Sequence, residues 1–249
     1  MTVTASEGRR TDVLLRARGL VAGYGDLAVV HGVDIEVGPG EIVALLGPNG
    51  AGKSTTLLTL AGALAPLGGT VEWRGDPGAG ALHKRAREGL GFVPEERSVF
   101  MGMSVRDNLL LGSGGVEPAV ELFPELGKLL HRRAGLLSGG EQQMLTLARA
   151  LARRPRVLLA DELSLGLGPI VVDRLLAAIH HAVETQRLGV ILVEQQARRA
   201  LQVADRWHLM RRGTLVASGS GAEGVAGIEA AYLADDTTAQ PATGPAPVR

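Results

Sequence analysis

Cysteine is absent from the 249 residues. That removes disulfide frameworks, thiolate metal sites and cysteine nucleophiles, and it fits a reducing compartment. Net charge is absent too: 26 Lys and Arg balance 26 Asp and Glu. No global basic field draws the chain to nucleic acid, so any anion it binds must be held locally. Met1 to Arg10 carries charge but no apolar core, unlike a secretory signal. No uncharged apolar run approaches the ~18 residues that a membrane-spanning helix needs. Lysine is scarce, found only at Lys53, Lys84 and Lys128, and no repeat with a period of roughly 20 to 50 residues stands out.

Glycine is abundant, with 35 residues, about twice the roughly 7% background. Without a collagen period, this points to many turns and to backbone that closely approaches something. Mean hydropathy is +0.16 with 45% hydrophobic residues, which leaves room for a buried partner surface. Val33, Ile35 and Val37 alternate with polar residues as in a half-buried strand. Ile42 to Leu46, Val157 to Ala160 and Val190 to Val193 are short apolar runs of the kind found in strands covered on both faces. A helix is expected from Ser54 to about Ala63 and an amphipathic one from about Ile170 to Arg187. Buried strands alternating with helices predict an α/β core around a parallel sheet. The stretch from Ser104 to Arg149 shows helical periods without a strand-like run and reads as a helical subdomain. Arg206 to Met210 and Thr214 to Ser218 flank Arg211-Arg212-Gly213 as a hairpin. Residues 1–12 and 235–249 lack periodicity and are expected to be disordered, leaving 13–234 as the folded unit.

Gly47-Pro48-Asn49-Gly50-Ala51-Gly52-Lys53-Ser54-Thr55 follows a buried strand and opens a helix. This is the setting that the G-x-x-x-x-G-K-[ST] pattern requires. Small residues let consecutive N–H groups converge on a phosphate at a helix N-terminus. Lys53 supplies charge for the β- and γ-phosphates, and Ser54 a hydroxyl for Mg²⁺. Asp161 and Glu162 end the strand that begins at Val157, where ligands of open α/β sheets gather. Asp161 fits a Mg²⁺ holder, and Glu162 is placed to polarise a water for in-line attack on the γ-phosphorus. Leu137-Ser138-Gly139-Gly140-Glu141-Gln142 begins another helix, a second cradle with a hydroxyl and exposed N–H groups.

In their order and spacing these motifs resemble the ATP-binding cassette ATPases, over about residues 13 to 220. The resemblance implies a P-loop fold with a RecA-like, mostly parallel core, an antiparallel β subdomain and a helical subdomain over about 104–149. It also implies ATP and Mg²⁺ as cofactors. Two cassettes would pack head to tail, each ATP lying between one subunit's phosphate loop and the other's Leu137 to Gln142 signature. Tyr24 matches the aromatic that stacks on adenine. Glu95 stands where the family usually has a glutamine that senses the metal and the transmembrane partner. Gln195 stands where most cassettes place the histidine that steadies the γ-phosphate.

Glu95 and Gln195 together look like one of the two ATPase subunits of branched-chain amino acid importers, through Val93 to Phe100, Leu137 to Leu145, Asp161 to Leu167 and Val193 to Gln195. Urea and short-amide importers have a similar subunit. Leu163, Glu96, Ser98 and Gly168 depart from the pattern; Leu163 replaces a proline and so loosens a fixed φ. The resemblance therefore implies a peripheral subunit on the cytoplasmic face, paired with a second ATPase subunit and permease subunits, and indirectly with an extracytoplasmic solute-binding protein. Gln195 can donate to a γ-phosphate oxygen but cannot carry charge or pass a proton as histidine does, so slow turnover is expected. A nucleotide-binding regulatory subunit with little hydrolysis is the alternative. Zero net charge without cysteine or long insertions speaks against a cassette acting on DNA or the ribosome. The pairs Arg153-Arg154, Arg198-Arg199 and Arg211-Arg212 read as solvated faces, and His180-His181 as no metal site.

Overall fold

The computed structural model describes residues 13–78, 80–221, 224, 226 and 228. The stretches 1–12 and 235–249, expected to be disordered, lie outside them, as does the expected boundary at 234. The chain opens with β1 (Leu15–Tyr24) and β2 (Leu27–Val37), an antiparallel pair, and continues into β3 (Ile42–Leu46). After β3 come α1 (Lys53–Ala61), β4 (Gly68–Trp73), α2 (Leu82–Arg87) and β5 (Leu90–Val93). The expected helical stretch holds α3 (Val105–Leu110), α4 (Glu117–Leu122), α5 (Pro124–Gly127), a 3₁₀ turn at Ala134–Leu136 and α6 (Gly139–Leu151). The chain then runs through β6 (Val157–Asp161), α7 (Pro169–Gln186), β7 (Gly189–Glu194), α8 (Ala197–Ala200), β8 (Arg206–Arg211) and β9 (Thr214–Ser220).

Two sheets form. One is antiparallel, in the order β2-β1-β4; the other runs β5-β6-β7-β3-β8-β9, parallel except for β9. The apolar runs of β3, β6 and β7 are buried at every position because both faces of the larger sheet are covered. Their side chains alternate between two cores. Ala44, Leu46, Leu158, Ala160, Val190 and Leu192 pack with α6 and α7, among them Leu145, Leu175 and Ile179. Val43, Leu45, Leu159, Ile191 and Val193 face Leu57 and Leu60 of α1 and, beyond them, Leu15, Leu20, Val33 and Val71 of the smaller sheet. The arrangement is the mostly parallel P-loop α/β architecture, with an antiparallel sheet laid over α1.

Helix ends follow local chemistry. The helix expected to reach Ala63 stops at Ala61, because Gly62 takes a left-handed φ of 79° and its N–H caps the last turn. Ser138 and Glu141 form a reciprocal capping box that starts α6, and Pro169 opens α7. α6 runs past Arg149 and its later turns pack on β5, so it joins the expected subdomain to the sheet. β1 is not evident as an alternating run because register shifts between Ala17 and Leu20 and between Leu20 and Ala22 interrupt its period.

Candidate functional site

Three neighbouring parallel strands, β6, β7 and β3, end together. Leu46 lies opposite Glu194, and Asp161 opposite Val193. The segments that leave them therefore gather residues 47–55, 161–164 and 194–195 at one sheet edge, although the first lies more than 100 residues before the other two in sequence. The loop after β3 is held tightly. A Cβ on Gly47 would lie 2.2 Å from the Met210 carbonyl oxygen, so only glycine fits beside β8. Gly213, in the β8–β9 turn, donates its N–H to the Ala51 carbonyl at 2.9 Å and accepts from His31 N–H at 2.8 Å. The hairpin thus braces the loop against β2. Pro48, Asn49 and Gly50 form its exposed tip, while Ala51, Gly52, Lys53 and Thr55 are buried.

Lys53 is 4% exposed. Its ammonium donates to the carbonyls of Gly47 at 2.9 Å and Pro48 at 3.0 Å, and lies 3.4 Å from Glu162 Oε1. Glu162 has a φ of +46°, uncommon for a residue with a side chain, and its N–H donates to the Val193 carbonyl at 2.9 Å. Gln195 Nε2 donates to Glu162 Oε2 at 2.6 Å. Both carboxylate oxygens of Glu162 therefore have partners, and the side chain expected to meet a γ-phosphate oxygen meets the expected base.

Burial pushes the Asp161 carboxyl pKa up, and the Glu162 and Glu95 carboxylates add to the rise; a hydrogen bond from the Ser54 hydroxyl and the Lys53 charge oppose it. Asp161 Oδ1 is buried without a hydrogen-bond partner. An orphaned carboxylate oxygen beside a hydroxyl fits a hard, oxygen-seeking divalent cation. Among the described residues no group of three His, Cys, Asp or Glu could hold a metal alone, so such an ion would arrive with phosphate oxygens, as Mg²⁺ commonly does. Glu95 lies on the exposed loop after β5 and, with Pro94, Arg97, Leu58 and Asp161, lines a cleft of about 270 Å³.

Tyr24, 55% exposed, ends β1 paired with Leu27. The start of α6 presents the Ser138 hydroxyl, which accepts from Glu141 N–H at 3.3 Å and keeps its own proton for an anion. Leu137 is buried, the Gln142 side chain turns inward to the Ala134 carbonyl at 3.0 Å, and Glu141 serves the cap. From this signature, Ser138 and the N–H groups of Gly139 and Gly140 remain free for an outside ligand. α1 and α6 pack on opposite faces of the larger sheet, so the two cradles cannot close on one phosphate within a single chain.

Sequence reasoning missed Gly213 and Met210 as supports of the loop, and Glu194 and Ser164 beside the base. Gly213 was legible as a turn residue, but nothing in the sequence says which loop the turn touches. Glu194 is buried, and its carboxylate accepts from the Ser164 N–H at 3.1 Å and hydroxyl at 2.6 Å. His180 and His181 are exposed, with His180 3.5 Å from Glu184.

A family profile described as ABC transporter matches residues 30–164. The chain is 40% identical, over 80% of its length and 89% of the relative's, to the high-affinity branched-chain amino acid transport ATP-binding protein BraG of Pseudomonas aeruginosa. It is 33% identical, over 84% and 93%, to a probable branched-chain amino acid transport ATP-binding protein LivF of Archaeoglobus fulgidus. It is also 36% identical, over 84% and 91%, to the lipopolysaccharide export system ATP-binding protein LptB of Escherichia coli. Among solved structures, the ATP-binding subunit of an ABC transporter superposes with a TM-score of 0.76 at 25% identity, over 89% of this chain and 98% of that one.

Proposed function

From the premise that this chain belongs to the ABC transporter family and is an ATPase of that family, we propose that it hydrolyses ATP to drive an importer of branched-chain amino acids. The observation that carries the ATPase chemistry is the gathering of Lys53, Asp161, Glu162 and Gln195 where β3, β6 and β7 end. Phosphate oxygens entering the loop take over the Lys53 ammonium from the Gly47 and Pro48 carbonyls and from Glu162, which frees Glu162 Oε1 for a water. Ser54 and Asp161, with Glu95 nearby, would hold Mg²⁺, which neutralises charge on the β- and γ-phosphates. Glu162 orients the water and accepts its proton as oxygen bonds to the γ-phosphorus and the bond to the ADP oxygen breaks. Tyr24 stacks on the base. Ser138, Gly139 and Gly140 receive the γ-phosphate bound by a second ATPase subunit, since the two cradles of one chain are on opposite faces.

A groove of about 600 Å³ between β5 and the helical stretch, lined by Leu82, Phe92, Phe100, Leu111, Thr146 and Arg149, suits a permease segment. Phe100 and Leu111 are each 53% exposed there, and the Arg149 guanidinium lies over the Phe100 ring, 5.8 Å from its centroid. No helix among the described residues is long and apolar enough to cross a membrane. The exposed apolar side chains of this groove support attachment through it to a permease at the cytoplasmic face. The cargo assignment rests on the 40% relative; the 36% relative serves lipopolysaccharide export, and urea or amide import fits the same residues. A low-turnover, regulatory role draws support from the grip of Gln195 and Lys53 on Glu162.

The deciding experiment reconstitutes the chain with its permease and partner ATPase. Glu162→Gln is expected to lower single-turnover γ-phosphate release about 100-fold or more, within the usual range for general-base loss, while MgATP still binds. Wild-type release from that variant overturns the catalytic reading. Release dependent on Glu162 but unaffected by branched-chain amino acids and their binding protein overturns the cargo alone.

A further inference from the structure

Resting on the reading of Glu162 as the base, we propose that Glu194 is a positioning residue for ATP hydrolysis: it holds Ser164 and, through it, the turn that carries Glu162. Glu194 is 3% exposed and Ser164 4%. The carboxylate accepts twice from the same residue, Oε1 from the Ser164 N–H at 3.1 Å and Oε2 from its hydroxyl at 2.6 Å. Glu194 ends β7 opposite Leu46, the last residue before the phosphate loop, so the clamp is anchored to the strand that also sets Lys53.

The turn it grips is strained. Glu162 sits at a φ of +46°, a conformation that persists for such a residue only where its surroundings over-determine it. Those surroundings are consecutive residues of the β7 end. The Val193 carbonyl accepts the Glu162 N–H, Glu194 accepts two bonds from Ser164, and Gln195 donates to the Glu162 carboxylate. Leu163 between them has no ring to fix its φ, so these side-chain bonds act beside the backbone bonds of the turn, from Glu162 N–H to the Val193 carbonyl and from Leu165 N–H to the Glu162 carbonyl at 3.2 Å. Burying a carboxylate is unfavourable, and burial pushes the Glu194 pKa up even against the Ser164 bonds. An apolar side chain would fill the same space without that penalty but could not grip Ser164. A costly group retained beside a strained base is the pattern expected where orientation matters to chemistry.

The test measures single-turnover hydrolysis and MgATP affinity in the assembled transporter for Glu194→Ala, Ser164→Ala, their double variant, Ser164→Thr and Glu162→Gln. Glu194→Ala and Ser164→Ala are each expected to slow hydrolysis about 10- to 100-fold, the scale of an ångström-sized misplacement, with MgATP affinity within about threefold of wild type. The double variant should be no slower than the slower single, because both remove one clamp. Ser164→Thr, which keeps the hydroxyl, should restore most of the rate. If Glu194→Ala fails to fold, the Ser164 pair, Ala against Thr, gives the same reading. Unchanged hydrolysis in the clamp variants, or losses that multiply in the double variant, overturns the clamp while Glu162→Gln still abolishes turnover. Full turnover in Glu162→Gln overturns the base assignment instead.

Discussion

Lys53 is buried against two carbonyls and a carboxylate, so its charge is organised before any phosphate arrives. Lys53→Ala is expected to weaken MgATP binding about 100-fold, ~3 kcal/mol at about 1.4 kcal/mol per tenfold, measured by equilibrium titration of the purified chain. Affinity within threefold of wild type would remove the phosphate-loop assignment. A second residue-scale effect lies outside the site. His208 sits in β8 with Nδ1 2.7 Å from the Ser218 hydroxyl and Nε2 buried without a partner. Burial, and secondarily Arg206, push its pKa down to about 4. The unfolded chain takes up that proton first, so the stability tied to neutral His208 is complete above its ordinary value near 6.5 and is lost as pH falls toward 4. Asp161 and Glu194, raised by burial, act in the opposite sense: their contribution is complete below the ordinary carboxylate range and is lost as pH rises. Comparing His208→Leu with wild type isolates the histidine. The variant should lose less stability, by up to about 3 kcal/mol, across roughly pH 6.5 to 4 in urea unfolding, at about 1.4 kcal/mol for each tenfold change in proton affinity. Parallel curves would show that His208 does not titrate on unfolding.

Among the elements, the β8–β9 hairpin is tied to the loop after β3 from across the sheet, through the Gly213 N–H and the Ala51 carbonyl. Gly213 has a φ of +81°, and a Cβ there would lie 2.1 Å from the Val29 carbonyl oxygen. Gly213→Ala should therefore push the turn off Ala51, lowering stability by roughly 2 kcal/mol or more and weakening MgATP binding together. Thermal melts and nucleotide titrations of the one variant read both; a loss of stability alone would mean that the loop keeps its shape without the hairpin. α6 offers the opposite outcome. Ser138→Ala removes the cap and should cost about 1 kcal/mol of stability. It should leave the chain's own MgATP affinity intact, because α6 packs on the far face of the sheet from α1. Hydrolysis in the assembled complex should fall nonetheless, since the exposed Ser138 hydroxyl accepts from Glu141 N–H and can still donate to an outside ligand. The strands β3, β6 and β7 were legible because a strand buried on both faces must be apolar throughout. β1 and β4 were not, since their bulges and glycines break the two-residue period.

At the scale of the whole molecule, apolar side chains are exposed in several places, and two of these bear on assembly. Phe100 and Leu111 line the groove beside the helical stretch, and Ile170, 85% exposed, opens α7 just beyond the loop from Ser164 to Gly168. Phe100→Asp with Leu111→Asp is expected to release the chain from washed membranes that contain the permease while leaving MgATP binding unchanged. Retention of that variant would place the docking surface elsewhere.

The amino-acid sequence by itself determined the family and pointed to the residues proposed for its chemistry. A glycine-rich run before Lys53, two acids after a buried strand and a capping Ser-Gly-Gly are local patterns whose meaning depends on spacing of a few residues. The parallel core was equally local, because burial on both faces writes itself into continuous apolar runs. Only the tertiary structure decided what braces and orients those groups. Gly213 meets Ala51, Glu194 meets Ser164 and Gln195 meets Glu162 across strand order, not along the chain. Such contacts are set by which strands lie side by side and where they end, and a single sequence carries no direct record of either.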